Sequence, residues 1–552
     1  MMRGSQRDRV IFALIVLAFA ALLFGAWRVM IEQASFLQQE GDKRQIRHVT
    51  LPAARGPILD RRGDVLAMST PMISVAIDPK TLQGKTDYQT SLASALRMPL
   101  EVVQEKIDAN ATKRFYYLKR GLAPEEAKLI ERLPLEGVHL VPEFKRFYPS
   151  GEVMSHVIGF TNIDDSGIEG IELSYNDWLK GSPGVRKVIR DNLGRVIETV
   201  DEIRPAHEGK ALTLSIDRDL QFFAYRALKR AMIEHQAKAA ELVMLDVKTG
   251  EILAMVSQPG FNPNDRSQVT TNQTRNRVVT DVFEPGSTIK PVIVAGALEL
   301  GTIKPDAVID TGNGKYKSND KLVKDHQGYG QLDLAGIMRK SSNVGMVKIV
   351  EAMSREEVWR FLHFSGIGQE TGIVFPGEQT GRLRDPLEWY PVTKTTAAYG
   401  YGYNVTLLQL ARSYAVLAND GVLLPSSLIK LEGPPTQGKR VFKSENARLV
   451  VRMMEEVVGM QGTGRKAAIP GYRVAGKTGT TRKANRGYDS DKYRALFVGI
   501  APATAPRFVL AVTVEEPSRG QYYGGDVAAP IFKEVMEETL RLMAVPPDDV
   551  AR

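Results

Sequence analysis

Ser287-Thr288-Ile289-Lys290 opens an apolar run and sets a hydroxyl and an amine three residues apart. If the run is helical, both side chains share one face. A serine hydroxyl is a weak nucleophile at neutral pH, and a lysine with a lowered pKa can serve as its base. The free N–H groups and positive dipole end of a helix N-terminus favour a developing anion. The same dipole, with burial, pushes a lysine toward its neutral form. Pro291 is compatible with a first helical turn, where no intrahelical N–H bond is lost.

Alone the tetrapeptide is weak, because Ser-x-x-Lys recurs at Ser318 and Ser427. Lys-Thr-Gly stands at Lys248 and Lys477, and Ser-x-Asn at Ser174, Ser341 and Ser444. Two ordered trios compete: Ser287/Lys290, Ser341-Ser342-Asn343, Lys477-Thr478-Gly479-Thr480; and Ser427/Lys430, Ser444-Glu445-Asn446, Lys477. Local structure separates them. The long, Ala-containing run from Thr288 to Leu300 predicts a buried helix. Ser427 lies in a short apolar run between Pro425 and Gly433-Pro434, which predicts a strand. On a strand Lys430 faces away from Ser427. Ser318 sits in a polar stretch read as a loop. Lys248-Thr249-Gly250 joins two apolar runs and predicts a hairpin turn. Lys477 precedes a polar loop and two apolar strands, which predicts an edge strand able to bind an extended peptide. Gly471 to Thr478 also satisfies the phosphate-loop pattern, but the strand–loop–helix context that pattern needs is missing.

VFEPGSTIKP around Ser287, KSSNVGM around Ser342 and AGKTGT around Lys477 stand in the order of the penicillin-recognising serine acyltransferases. With TAAYGYGYNVTLLQLARSYAVLANDG, YYGGDVAAPIF and the Arg55-Gly-Pro-Ile-Leu-Asp60-Arg61-Arg-Gly63 box, the chain resembles the class B penicillin-binding proteins, and most of all their division-specific branch. The resemblance covers nearly the whole chain.

It implies acyl transfer on peptidoglycan stem peptides ending in D-Ala-D-Ala. Ser287 is then the nucleophile, Lys290 its base, Ser341 a proton relay, and Asn343 the residue that orients Lys290 and the substrate amide. Lys477 supplies positive potential. Thr478 and Thr480 bind the terminal carboxylate, Gly479 lies between them, and the N–H groups of Ser287 and Thr480 form the oxyanion hole. β-Lactams are expected to acylate the same serine. Expected partners are a multi-span, FtsW-like glycosyltransferase of the SEDS type and other membrane proteins of the division machinery. The alternatives are a hydrolase with the same acyl-enzyme (a D,D-carboxypeptidase or β-lactamase), and a catalytically silent scaffold or β-lactam sensor. Intact Ser287, Lys290, Asn343 and Lys477 oppose the silent site.

The elements that must position these groups follow from the rest of the sequence. Val10 to Trp27 is apolar and, as a helix of about 27 Å, just long enough to span a bilayer. Arg3, Arg7 and Arg9 precede it and favour a cytoplasmic amino terminus. The apolar run continues past the cleavage-like Ala18-Phe-Ala20, which argues for a retained anchor. The expected organisation is a cytoplasmic tail (1–9), a transmembrane anchor (10–27), an elongated non-catalytic pedestal (28–205), a transpeptidase domain (206–545) and a tail (546–552). The resemblance places the catalytic domain in the periplasm, anchored in the inner membrane. Residues 31–49 read as a membrane-proximal helix. Helices between and after antiparallel strands predict an α+β catalytic domain resembling the serine β-lactamases and transpeptidases.

The 552 residues suffice for two or more large cores. A net charge of +9 without a long basic block argues against nucleic-acid binding. No cysteine is present, so no disulfide or thiolate chemistry is possible. The seven histidines lack metal-ligand spacing, and no cofactor or metal is expected. Tyr399, Tyr401 and Tyr403 are explained as well by packing as by a role in the cleft.

Overall fold

The structure, a computed structural model, describes residues 4–37, 46–133, 135–190, 196–434, 437–484 and 488–549. Its contacts divide the chain into two units. The first comprises residues 1–55, 70–145 and 180–209; the second comprises 56–69, 146–179 and 210–552.

In the first unit the helix Gly4–Trp27 is exposed from Gln6 onward. The continuous helical stretch Gln6–Glu32 is the one helix among the described residues long and apolar enough to cross a membrane. Of the stretch read as a membrane-proximal helix, 38–45 lie outside the described residues. Residues 46–49 correct that reading, since they begin the strand Ile46–Leu51. That strand pairs antiparallel with Gly184–Arg190, which pairs in turn with Val196–Arg204. β-Branched residues at 49, 50, 185 and 188 suit such a ladder better than a helix. Elsewhere in the unit, Leu92, Leu96, Val103 and Ile107 of two short helices bury against Val75, Ile77 and Leu118.

The second unit is built on a five-stranded antiparallel sheet. Its main elements in chain order are α1 (Arg218–Glu234), β1 (Ala239–Asp246), β2 (Ile252–Gln258), α2 (Lys290–Leu300), α3 (Leu334–Lys340), α4 (Asn343–Glu351), α5 (Leu407–Ala418), α6 (Ser444–Val458), β3 (Ala475–Ala484), β4 (Tyr488–Ala501), β5 (Phe508–Glu515) and α7 (Gly524–Leu542). The strand order is β2-β1-β5-β4-β3, so β3 is an edge. Every residue of β1, β2 and β5 is buried. Alternate side chains explain how: Leu242 and Met244 join a core with Leu228, Phe532 and Val535, whereas Val243 and Leu245 join the other core with Leu410, Leu417 and Val509. Helices cover both faces, so these strands read as continuous apolar runs rather than alternating ones.

The Arg55–Gly63 box contributes its residues from Gly56 onward to this unit. Asp60 accepts the N–H groups of Arg62 and Asp64, each at 2.8 Å, and that of Arg218 at 3.1 Å, where α1 begins. Arg62 meets Asp217, the N-cap of α1, at 2.8 Å. The box therefore fastens a neighbouring strand pair to the first helix of the sheet-bearing unit.

Two sequence expectations about rival serines change in detail. Ser318 lies not in a loop but on a small hairpin, Lys315–Ser318 with Lys321–Lys324. Asn319 and Asp320 supply the two positive φ values, 48° and 61°, of its tight turn. Around Ser427 there is no regular strand; single bridges hold Ser427 to Glu251 and Ile429 to Leu214. Lys430 still points elsewhere, donating to the carbonyl of Arg61 at 2.9 Å.

Candidate active site

The nucleophile turn is made by close backbone approaches. Gly286–Ile289 form a 3-10 turn that runs directly into α2, so the predicted helix is in place but its first turn is tighter. Gly286 has φ +56°, and its N–H donates to Gly400 at 3.0 Å. A side chain at Gly286 would strike Thr481, and one at Gly400 would lie 2.1 Å from the Gly286 carbonyl. From α5, the buried Tyr414 hydroxyl donates to the Thr288 carbonyl. Thr288 itself donates to Pro285 at 2.6 Å. These contacts leave Ser287 at the wall of an open cavity of about 470 Å³.

Lys290 is fully buried behind Ser287. Its amine donates to the Ser341 carbonyl at 2.6 Å, to Asn343 Oδ1 at 2.8 Å and to Ser341 Oγ at 3.3 Å. Burial, reinforced by the nearby Lys477 charge, drives its pKa well below the usual lysine value; Asp325 opposes this in part. Lys477 on β3 is also fully buried and donates to Ser341 Oγ at 2.9 Å. Burial lowers its pKa to about 7. The Ser341 hydroxyl thus lies between two lysine amines.

Ser341 is held there by a break between helices. It ends α3 in the left-handed region, φ +55°. For a residue with a Cβ that conformation costs on the order of 1–2 kcal/mol, and it turns the hydroxyl toward the amines. Ser342 then caps α4, accepting the Gly345 N–H at 2.9 Å. Beneath it sits Asp325, a residue the sequence reading passed over. Its carboxylate accepts the Ser342 hydroxyl at 2.5 Å and the N–H groups of Asn343 and Val344 at 2.5 and 3.0 Å. A second omission is Thr463, whose hydroxyl lies 2.8 Å from that of Thr478. Neither stood in a recognisable motif: Asp325 follows the Ser318 hairpin and Thr463 sits in a glycine-rich turn.

The three segments chosen from sequence therefore converge. Ser287, Ser341, Asn343, Thr478, Gly479 and Thr480 all line the cavity, with Lys290 and Lys477 buried behind it. Thr480 Oγ1 accepts the Gly524 N–H at 3.0 Å, which ties the start of α7 to the edge strand. Gly479 is needed for close passage, since an added Cβ would lie 2.8 Å from the Thr288 methyl. The rival copies stay apart, and Gly476, Lys477 and Thr478 are extended strand with no helix following, which removes the phosphate-loop pattern. The arrangement suits acyl transfer: an accessible hydroxyl, a buried amine able to be neutral, a hydroxyl between two amines, and an unpaired strand edge.

Comparison with known proteins gives the same picture. Residues 241–537 match the penicillin-binding protein transpeptidase domain family, and 50–214 match the penicillin-binding protein dimerisation domain family. The chain is 42% identical to the peptidoglycan D,D-transpeptidase FtsI of Escherichia coli K12, covering 99% of this chain and 93% of that protein. It is 41% identical to the probable peptidoglycan D,D-transpeptidase PenA of Neisseria gonorrhoeae, over 98% of this chain and 94% of that one. A peptidoglycan synthetase from Bifidobacterium adolescentis superposes with a TM-score of 0.73 at 27% identity, over 92% of this chain and 98% of its own. The transpeptidase domain of Burkholderia pseudomallei penicillin-binding protein 3 gives a TM-score of 0.57 at 44% identity, over 61% of this chain and 98% of its own.

Proposed function

The chain belongs to the class B penicillin-binding proteins, whose activity is peptidoglycan D,D-transpeptidation, and from that premise we propose that Ser287 is its acylating nucleophile. The observation that carries this is the position of Ser287 on the open cavity, in front of two buried lysines that share the Ser341 hydroxyl.

Lys290, kept neutral by burial, takes the Ser287 proton as the oxygen attacks the penultimate D-Ala carbonyl. The N–H groups of Ser287 and Thr480 receive the oxyanion. The C–N bond breaks as a proton passes from Lys290 through Ser341 to the leaving amine of the terminal D-Ala. Asn343 holds Lys290 in place at 2.8 Å. Lys477, with the Thr478 and Thr480 hydroxyls, meets the terminal carboxylate of the donor. An amine from a neighbouring stem peptide then attacks the acyl-serine; Lys290, neutral again, takes a proton from that amine and delivers it to the Ser287 oxygen as the ester C–O bond breaks.

In this reading residues 28–205 form the non-catalytic pedestal and 206–545 the transpeptidase domain. Val10–Trp27, within the helix Gly4–Trp27, anchors the enzyme in the inner membrane with a cytoplasmic amino terminus and a periplasmic site. Likeness to FtsI supports a septal role, and the partners that the sequence resemblance implies are a multi-span glycosyltransferase and other division proteins. The test is labelling of membranes with a fluorescent penicillin. A stable adduct on the native chain, lost in Ser287→Ala, is expected. An adduct that survives the substitution overturns the assignment.

A further inference from the structure

Three carboxylates meet close to the segment that leads into the nucleophile turn. One oxygen each of Glu241 on β1, Asp281 and Glu515 on β5 lie within 4.8 Å of one another. Glu241 is fully buried and Glu515 nearly so. The cation that answers them is a side chain. Arg494 on β4, only 5% exposed, donates to Glu515 Oε2 at 3.0 Å and to Glu241 Oε1 at 3.5 Å. Asp281 is met separately by Arg275 at 3.0 Å and Arg277 at 2.9 Å. Burial alone would raise the Glu515 carboxyl, but Arg494 and Lys483 hold it below its usual range. The bond to Glu515 is therefore the firm end of the clamp on Arg494.

Two segments of the site meet at this arginine. Its guanidinium carbon lies 4.5 Å from the centre of the Phe283 ring. Phe283 exchanges backbone hydrogen bonds of 3.0 and 2.9 Å with Val405, and the chain runs from it through Glu284 and Pro285 into Gly286 and Ser287. Across the sheet, Arg494 stands opposite Thr481 on the edge strand. Directly opposed residues of an antiparallel pair share a face. The Thr481 methyl on that face is the group a side chain at Gly286 would strike. One segment carries the Ser287 N–H and the other the Thr480 N–H, the two donors to the oxyanion. Arg494 itself does not line the cavity.

We propose that Arg494 is a positioning residue for acyl transfer: clamped by Glu515 and Glu241, its planar guanidinium fixes Phe283 against the edge-strand side and so sets the spacing of the Ser287 and Thr480 N–H groups. This rests on the transpeptidase reading above and deepens it. The oxyanion exists only once attack has begun, so the spacing acts on the transition state and not on the first, noncovalent complex. A lysine would keep the charge, but it has no planar fork to bond two carboxylates while lying over a ring.

The test uses the full-length, detergent-solubilised chain and a chromogenic cephalosporin in stopped flow. Saturation separates the dissociation constant of the first complex from the acylation rate constant. Arg494→Met is expected to lower the rate constant about tenfold or more and to leave the dissociation constant within about twofold of native. Arg494→Lys is expected to lie between the two. A boronic acid analogue of D-alanine forms a tetrahedral adduct on Ser287 with an oxygen between the two N–H groups. Its affinity should fall in the same proportion as the rate constant. Arg494→Met strips buried carboxylates of their cation, so Phe283→Leu carries the test if that variant does not fold. It removes the ring, keeps the ion pairs, and is expected to acylate severalfold more slowly. Folded variants that acylate within about twofold of native overturn the proposal, as does a loss confined to the dissociation constant. A slower rate with unchanged boronate affinity also overturns it, because the effect then lies outside the oxyanion site. Native enzyme that the cephalosporin does not acylate removes the transpeptidase reading and the positioning role together; acylated native enzyme with indifferent variants removes the positioning role alone.

Discussion

The same tripeptide, Lys-Thr-Gly, occurs in two places in the sheet-bearing unit and does two unrelated things. At 248–250 it closes the β1–β2 hairpin. Asp246 accepts the N–H groups of Lys248 and Thr249 at 2.8 and 3.2 Å, Gly250 takes φ +77°, and Lys248 is exposed. At 477–479 it is extended edge strand, with Lys477 fully buried against Ser341. The difference lies in what precedes it. A carboxylate two residues before Lys248 gathers the backbone into a turn, whereas Val474-Ala475-Gly476 offers no such acceptor, and Ala475 and Gly476 pair with β4. A lysine on a turn keeps its water; one on this strand loses it, and with it much of its affinity for a proton.

The comparison breaks most sharply at the lysines themselves. Lys477→Ala should cut the rate of penicillin acylation by roughly 100- to 1000-fold, the usual scale for removing a preorganised charge from an acyl-transfer site. Lys248→Ala should leave that rate unchanged and shift stability by no more than about 0.5 kcal/mol. Stopped-flow labelling and denaturant melts check both. Equal losses at the two positions would dissolve the distinction.

The glycines give the next contrast. Gly479→Ala brings a Cβ to 2.8 Å from Thr288, next to the nucleophile, so acylation should fall by about tenfold or more. Gly250→Ala must adopt positive φ with a Cβ 2.3 Å from the Pro425 carbonyl. It should cost on the order of 1–3 kcal/mol of stability while leaving the acylation rate of the folded protein alone. One substitution therefore registers in kinetics and the other in melting.

How much of this was readable beforehand follows the same logic. The edge position of Lys477, the hairpin at Lys248 and the helix after Ser287 were legible because apolar runs and turn residues report on backbone shape. The convergence of Ser287, Ser341 and Lys477 came from likeness to a family, not from periodicity. Asp325 and Thr463 were not legible, since each acts by capping or bracing groups far off in sequence. The Ser318 hairpin was missed because Lys315–Lys324 carries little apolar alternation; its turn at Asn319-Asp320 was the available signal. Strand Ile46–Leu51 was hidden by the polar residues around it.

Asp325 tests whether that unseen support matters. Asp325→Asn weakens the acceptor for the start of α4 and removes a negative charge that favours protonated Lys290. Acylation should fall by about tenfold through looser placement of Ser341 and Asn343. At the same time the acidic limb of the pH–rate profile should move to lower pH, because Lys290 loses a partner that stabilises its charge. A fall without that shift would limit Asp325 to bracing.

The pH profile also carries the smallest predicted effect and the finest distinction between the two lysines. Lys290 must be neutral to accept the Ser287 proton, so the acylation rate should climb as pH rises through its lowered pKa. Lys477 must be charged to hold the donor carboxylate, and it loses its proton near pH 7. The native profile should therefore be bell-shaped, with its falling limb near neutrality. An arginine keeps its charge across this range, so Lys477→Arg should extend the plateau to higher pH, with a maximum only severalfold lower. Lys290, still facing a cation, should keep its rising limb. Lys248→Arg should reproduce the native profile, because Lys248 lies on an exposed turn and does not line the cavity. Labelling rates from about pH 5 to 10 decide the matter: a falling limb that stays near neutrality in Lys477→Arg assigns it to another group and leaves the buried lysine a purely structural charge.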